Sequence, residues 1–234
     1  MSPYFAEFFG TMLLILLGNG VVAGVLLKGS KTENAGWFTI VAGWGMAVTL
    51  CVYAVGSVSG AHLNPALTIA LAMKGDLASD LVAGYVLAQF TGAFAGSILV
   101  WIFYLPHWSG TTDQATKLAV FCTAPAIRSP LSNLISEIIA TAVLVLGILF
   151  IGANEFTEGL NPIVVGVLIM SIGLSLGGTT GFAINPARDL GPRLAHFVLP
   201  IAGKGNSDWS YAWIPVVGPV IGGIVGECVY QLIF

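Results

Sequence analysis

A chain of 234 residues that is 56% hydrophobic and only 8% charged, with a mean hydropathy of +0.92, has too few polar side chains to cover a water-soluble globule of its size and is read as a membrane protein. Its 8 basic and 11 acidic residues give a formal charge of −3 with no charge run, so it lacks the basic stripe that a nucleic-acid partner requires. Cys51, Cys122 and Cys228 are isolated and odd in number, which excludes a disulfide framework and a CxxC metal or redox motif; they read as small apolar residues.

The first apolar run, Phe5 to Leu27, has no Lys/Arg n-region and is too long for a signal-peptide core, so it is expected to be a retained membrane helix. Six stretches are long enough to span roughly 30 Å of hydrocarbon; they fall near 5–27, 37–57, 80–104, 132–152, 161–179 and 211–233. The joins carry Gly, Ser, Lys and acidic residues, the longest running from about Pro106 to Pro130. No boundary reads as an interdomain linker, so one transmembrane domain is expected over 1–234.

Two apolar pieces fall outside that count. Pro65 to Met73 and Pro186 to His196 would reach only roughly 14–16 Å at 1.5 Å per residue, about half the hydrocarbon thickness. They read as half-helices entering from opposite faces. Irregular backbone at membrane depth is tolerated only where it is enclosed by protein or lines a wet cavity, so the glycine-containing segments before them should line one.

The chain also repeats itself. Ala6-Glu7-Phe8-Phe9-Gly10-Thr11 matches Ser136-Glu137-Ile138-Ile139-Ala140-Thr141, Asn64-Pro65-Ala66 matches Asn185-Pro186-Ala187, and Gly92-xxx-Gly96 matches Gly218-xxx-Gly222. Each half has three spans with a half-helix between its second and third. Three is odd, so the halves must be inverted and the two motifs meet at mid-depth. Repeat 1 covers about 1–105, the connecting loop about 106–130 and repeat 2 about 131–234. The fold class is therefore an all-α membrane protein with six transmembrane helices plus two re-entrant half-helices. The small-xxx-small pairs, Gly20-xxx-Gly24 included, read as close helix packing without chemistry. A lone Glu7 could snorkel at the interface, but the matched places of Glu7 and Glu137 favour buried acceptors for backbone N–H groups of the re-entrant segments.

Asparagine before a helix is a strong N-cap, and proline suits the next position because its missing N–H would have had no partner. With its oxygen so engaged, the amide NH2 of Asn64 or Asn185 is expected to donate into the lumen, while Ala66 and Ala187 let the helix ends touch. Facing N-termini bring two positive dipole ends together and disfavour a cation there. One Asn-Pro-Ala alone would be an ordinary helix-starting turn; two at equivalent places of an inverted repeat are not.

These residues identify a resemblance to the major intrinsic protein family of aquaporins and, within it, to the glycerol facilitators or aquaglyceroporins. The motifs that carry it are Ser59-Gly60-Ala61-His62-Leu63-Asn64-Pro65-Ala66, Gly181-Phe182-Ala183-Ile184-Asn185-Pro186-Ala187-Arg188-Asp189 and Phe121-Cys122-Thr123-Ala124-Pro125, and the likeness runs from Glu7 to Pro219. It implies a pore lined by backbone at Gly60, Ala61, His62, Gly181, Ala183 and Ile184, no cofactor or metal, a homotetramer in the cell membrane and cytoplasmic termini. It also implies a narrow ring of Trp44, Gly173, Phe182 and Arg188, the glycerol-facilitator set, where water-selective members carry a His at the Gly173 position and a smaller aromatic at the Trp44 position. A charge near the bilayer interior costs roughly 2.5–3.5 kcal/mol unless it faces water, which argues that Arg188 is functional. An open place at Gly173, two aromatic faces for CH groups and a donating Arg188 suit an amphipathic polyol. Asp189 either fixes Arg188 or the half-helix N-terminus, or is an exposed interfacial carboxylate.

One signal disagrees. With Arg188 and Arg193 set aside, the loops placed outside by the resemblance hold Lys28, Lys31, Lys117, Arg128 and Lys204 against Lys74 inside, the reverse of the positive-inside rule. The expected function is passive passage of glycerol, similar small uncharged solutes and water, with protons and ions excluded. A water-selective pore is the first alternative and a secondary transporter of small polyols the second. An enzyme is not expected: His62, His107 and His196 lie in separate segments without HExxH or GxSxG.

Overall fold

The computed structural model describes residues Met1–Phe234. It contains ten α-helices and no strand: α1 (Pro3–Leu26), α2 (Gly36–Ser59), α3 (Pro65–Lys74), α4 (Val82–Phe103), α5 (Leu105–Gly110), α6 (Gln114–Phe121), α7 (Pro130–Gly152), α8 (Asn161–Leu176), α9 (Pro186–Val198) and α10 (Ile214–Ile233). Five of them, α1, α2, α4, α7 and α10, are long and apolar enough to cross a membrane. The expected fifth span is shorter than the sequence suggests. At 16 residues α8 covers about 24 Å, because the chain turns at Gly177-Gly178 instead of continuing to residue 179. The connection expected as a polar loop over 106–130 contains α5 and α6, and α6 starts where the Asp113 side chain accepts from Thr116 N–H at 2.7 Å. That bond and the Thr116 hydroxyl hold the Asp113 carboxyl below its usual range.

The burial pattern suits lipid. Phe38, Met46, Leu87, Phe103 and Leu131 point outward, while Glu7, Asn19, Thr68, Gln89, Glu137 and Arg193 are wholly buried. Side chains buried inside a bilayer gain little from hydrophobicity, so close backbone approach does the packing. Glycines supply it where α1 crosses α4 and where α7 crosses α10. A Cβ on Gly96 would sit 2.9 Å from Ile15 Cβ, one on Gly218 2.7 Å from Glu137 Cβ, and one on Gly222 2.8 Å from Thr141 Cβ.

The halves interlock through the short helices. The half-helix α3 of the first half packs chiefly on α10 of the second, and α9 of the second packs chiefly on α4 of the first. Neither half can close its own interior without the other. Filling a glycine crossing should therefore loosen the whole bundle. Gly222→Leu is expected to destabilise the protein by about 1–3 kcal/mol or more through overpacking, seen as a lower melting temperature of the detergent-solubilised protein; an unchanged melting temperature would show that the crossing has slack.

Candidate functional site

The segments that lead into α3 and α9 are built alike. Gly60 and Gly181 have φ of 80° and 83°, followed by Ala61 at 49° and Leu63 at 52° in one segment and Phe182 at 41° and Ile184 at 44° in the other. Glycine adopts this left-handed region freely, whereas each of the other four residues stores strain of roughly 1–3 kcal/mol. The β-branched Ile184 tolerates it least.

A buried carboxylate holds each strained segment. Glu7 accepts from His62 N–H at 2.9 Å, Leu63 N–H at 2.7 Å, Ser59 Oγ at 2.6 Å and Gln89 Nε2 at 2.7 Å. Glu137 accepts from Ala183 N–H at 3.0 Å, Ile184 N–H at 2.8 Å and Thr180 Oγ1 at 2.6 Å. Neither side chain extends to the protein surface: both are 0% exposed. A hydrogen bond to a charged group contributes about 1.5–3 kcal/mol, so two backbone bonds per carboxylate are of the same order as the strain they restrain.

The resulting backbone leaves the carbonyls of Gly60, Ala61 and His62, and of Gly181, Phe182 and Ala183, without a donor from the protein. Buried carbonyls require partners, so those of Ala61, His62, Phe182 and Ala183, all on buried residues, mark a passage that holds water or a hydroxylated solute. The passage is a cavity of about 80 Å³, bordered by Ala61, His62, Leu63 and Asn64 from one side and by Phe182, Ala183, Ile184, Asn185 and Arg188 from the other. One water needs roughly 10–15 Å³ by this measure, so several can stand in line. Gly60 and Gly181 lie off its wall; Gly181 instead borders an outer depression with Trp37, Pro125 and Gly177.

The two asparagines cap their helices. Asn64 Oδ1 accepts from Ala66 N–H at 2.9 Å, and Asn185 Oδ1 from Ala187 N–H at 3.0 Å and Arg188 N–H at 3.2 Å. Pro65 and Pro186 occupy the first helical positions, and Ala66 and Ala187 are wholly buried. The amide NH2 groups differ from the sequence expectation in one respect. Asn64 Nδ2 donates to Ile184 O and Asn185 Nδ2 to Leu63 O, both at 2.8 Å. One hydrogen of each amide thus ties the two half-helices together, and only the other can point to the lumen.

His62 is oriented by its neighbours. Thr68 gives its hydroxyl proton to Asn64 O at 3.0 Å and accepts from Gln89 Nε2 at 2.8 Å, so His62 Nδ1, 3.2 Å from Thr68 Oγ1, is assigned as the donor. The other ring nitrogen, Nε2, is then an acceptor on a residue that borders the cavity.

Arg188 stacks on the Trp44 ring with its guanidinium carbon 4.3 Å from the ring centroid, a cation–π contact. Its Nη1 donates to Phe121 O at 3.3 Å and approaches Asn19 Oδ1 at 3.5 Å, while Nε and Nη2 have no protein acceptor. Gly173 is not on the cavity wall. A Cβ there would sit 3.0 Å from Phe182 Cζ and 2.7 Å from Val41 Cγ1, so the absent side chain makes room for the Phe182 ring.

Asp189 is neither exposed nor bonded to Arg188. It is wholly buried, accepting from Thr123 N–H at 2.8 Å, Thr123 Oγ1 at 2.7 Å and Arg193 Nε at 2.9 Å. Arg193 in turn donates to Thr123 O at 2.9 Å and Ser207 O at 2.8 Å. This cluster fixes the 121–124 segment beside Arg188. Sequence reasoning passed over Asn19 and Gln89, for which an amide inside an apolar helix was the available signal, and met Thr123 only as part of the Phe121–Pro125 motif, without a role.

Two half-helices that meet end to end, joined by their capping asparagines beside one passage with a mostly apolar wall and a few convergent polar groups, define a helical membrane channel. The chain belongs to the major intrinsic protein family, whose sequence pattern matches residues 1–230. It is 60% identical over 234 residues, the full length of both chains, to the probable glycerol uptake facilitator protein of Thermotoga maritima. To the glycerol uptake facilitator protein of Bacillus subtilis it is 58% identical, covering 100% of this chain and 85% of that one. Its structure is similar to the X-ray structure of the aquaglyceroporin from Plasmodium falciparum, with a TM-score of 0.85, 32% identity and coverage of 97% of this chain and 94% of that one.

The centre of the passage is expected to be sensitive to charge. Asn185→Asp loses the donor to Leu63 O and puts an anion where two helix N-termini converge. Expected outcomes are a fall in water permeability and a new cation conductance in reconstituted bilayers; a variant as ion-tight as the wild type would contradict the electrostatic reading.

Proposed function

We propose that the chain is a passive pore through which glycerol, similar small uncharged solutes and water diffuse, with protons and ions excluded. The observation that carries the solute assignment is Arg188, stacked on Trp44 and retaining Nε and Nη2 as unspent donors beside the Phe182 ring. Trp44, Phe182 and Arg188 form the selectivity filter in this reading, with Gly173 acting through the place it leaves for Phe182. Hydroxyls can take the guanidinium hydrogens while CH groups lie on the aromatic faces, and the rest of the wall, including Leu14, Val48 and Leu144, is apolar. Both relatives described above are named for glycerol uptake, which supports the same solute.

Exclusion of ions rests on the two converging helix N-termini and on Arg188, the electrostatic barrier described for aquaporin-type pores as a class. A secondary transporter is a weaker reading. It would need an acid or ion site open to the passage, whereas Glu7 and Glu137 lie off the cavity wall with their oxygens engaged by the re-entrant segments.

In this proposal both termini are cytoplasmic and the protein forms a homotetramer in the cell membrane. Four of the five outer cations in the charge count that opposes this orientation have partners in the fold, as does the inner Lys74, which pairs with Asp76. Lys28 pairs with Glu33, Arg128 with Asp208, buried Lys117 donates to Ala202 O, and Lys204 caps the carbonyls of His196, Phe197 and Leu199 at the end of α9. These charges have folded-state partners that account for their positions. For assembly, the outward groove between α2 and α8, bordered by Gly45, Met46, Gly166 and Met170, supplies shape, which drives association in lipid more than apolarity does.

Proteoliposomes carrying the protein, shifted into hyperosmotic glycerol, should shrink and then re-swell quickly, independently of a proton or sodium gradient. Re-swelling no faster than in empty liposomes would sink the glycerol assignment, and a gradient requirement would favour a transporter. Gly173→His combined with Trp44→Phe should lower glycerol flux more than water flux, because a side chain at 173 displaces Phe182 into the passage. Equal losses would show that this ring does not set selectivity.

A further inference from the structure

We propose that Gly18 and Asn19 of α1 are positioning residues that seat the Trp44–Arg188 face of the pore and thereby set the size of solute that passes. The proposal rests on the glycerol-pore reading above and names what holds that site's wall in place.

A Cβ on Gly18 would fall on three carbons of the Trp44 six-membered ring, so the ring lies directly against the α1 backbone. Trp44 is only 4% exposed, and the Arg188 guanidinium stacks on its ring. The ring thus touches both the α1 backbone at Gly18 and the cation that borders the passage. An atom added at position 18 must displace the ring, which borders the passage, because packed interiors have no slack for a methyl group.

Asn19, the next residue, addresses the arginine. It is 0% exposed in an otherwise apolar helix, where an unpaired amide would be costly. Both of its polar atoms serve the filter. Nδ2 donates to Phe121 O at 3.2 Å, the carbonyl that also receives Arg188 Nη1, and Oδ1 stands 3.5 Å from that same Nη1. Asn19 therefore fixes the carbonyl that holds the guanidinium and offers it a second acceptor. With Nη1 anchored, Nε and Nη2 keep one direction, which a polyol crossing the narrow point requires and a single water tolerates losing. Gly173 does for Phe182 on α8 what Gly18 does for Trp44 on α1, so both aromatic rings rest on helix backbone.

The test is the ratio of glycerol to water permeability in proteoliposomes, with each variant's melting temperature measured alongside. Gly18→Ala should cut glycerol permeability by roughly ten-fold with a smaller loss of water flow. Adding Trp44→Phe, which removes the ring atoms that clash, should relieve that defect, bringing glycerol permeability to within about two-fold of Trp44→Phe alone. Asn19→Val, which takes a buried amide out of an apolar helix, should lower the ratio by roughly three- to ten-fold without lowering the melting temperature. The proposal is overturned if Gly18→Ala reduces both fluxes equally and Trp44→Phe brings no relief, or if Asn19→Val keeps the wild-type ratio. Wild-type vesicles that fail to pass glycerol at all would instead remove the reading on which the proposal rests.

Discussion

The structure depends on one interaction made twice: a buried carboxylate accepting backbone N–H groups from a chain segment that would not otherwise hold its shape. Glu7 takes the amides of His62 and Leu63, and Glu137 those of Ala183 and Ile184. With the donors of each segment turned inward to a carboxylate, its carbonyls are left to the passage. The same bonds restrain four non-glycine residues in the left-handed region, a conformation that neither Leu63 nor Ile184 would keep unaided. A wet lumen inside a bilayer follows from that division of donors and acceptors, because the unpaired carbonyls are tolerable only against water or hydroxyl groups.

The interlocking of the halves carries this local geometry to the whole bundle. The capping asparagines bond across the midline, and each half-helix rests on the last helix of the other half. The two halves are not identical in chemistry. Gln89, three residues before Gly92, adds a fourth donor to Glu7 and orients Thr68 and His62; the residue three before Gly218 is Pro215, which has no side-chain donor. Asp189, Arg193 and Thr123 have no such role in the first half and instead pin the 121–124 segment beside Arg188. In the proposed reading, the half that contains Gln89 shapes the inner part of the passage and the half that contains Asp189 shapes its filter.

Much of this was legible in the sequence for identifiable reasons. Apolar run length separates spanning helices from half-helices, and Asn-Pro at a helix start has one good structural explanation, so α3 and α9 begin where expected. Other features depend on partners remote in the chain. Asn19 meets Phe121 and Arg188 across 102 and 169 positions, and no local pattern announces either contact. Gly18 reads as one more packing glycine until the Trp44 ring is seen upon it. Gly173 suggested open space, whereas its vacancy is filled by Val41 and the tip of the Phe182 ring. The helices α5 and α6 are too short and too polar for apolar periodicity to reveal, and α8 ends early because a Gly-Gly turn outweighs the apolar run that precedes it.

If the carboxylates hold the pore, its irregular lining must be as rigid as the helices around it. Amide hydrogen exchange on the reconstituted protein tests this directly at His62, Leu63, Ala183 and Ile184. Protection of these four amides equal to that of the helix interiors, beside a water-filled passage, is the result predicted. Exchange as fast as in the exposed 153–160 connection would contradict the account, since it would mean that the lining is not held and that selectivity must come from elsewhere.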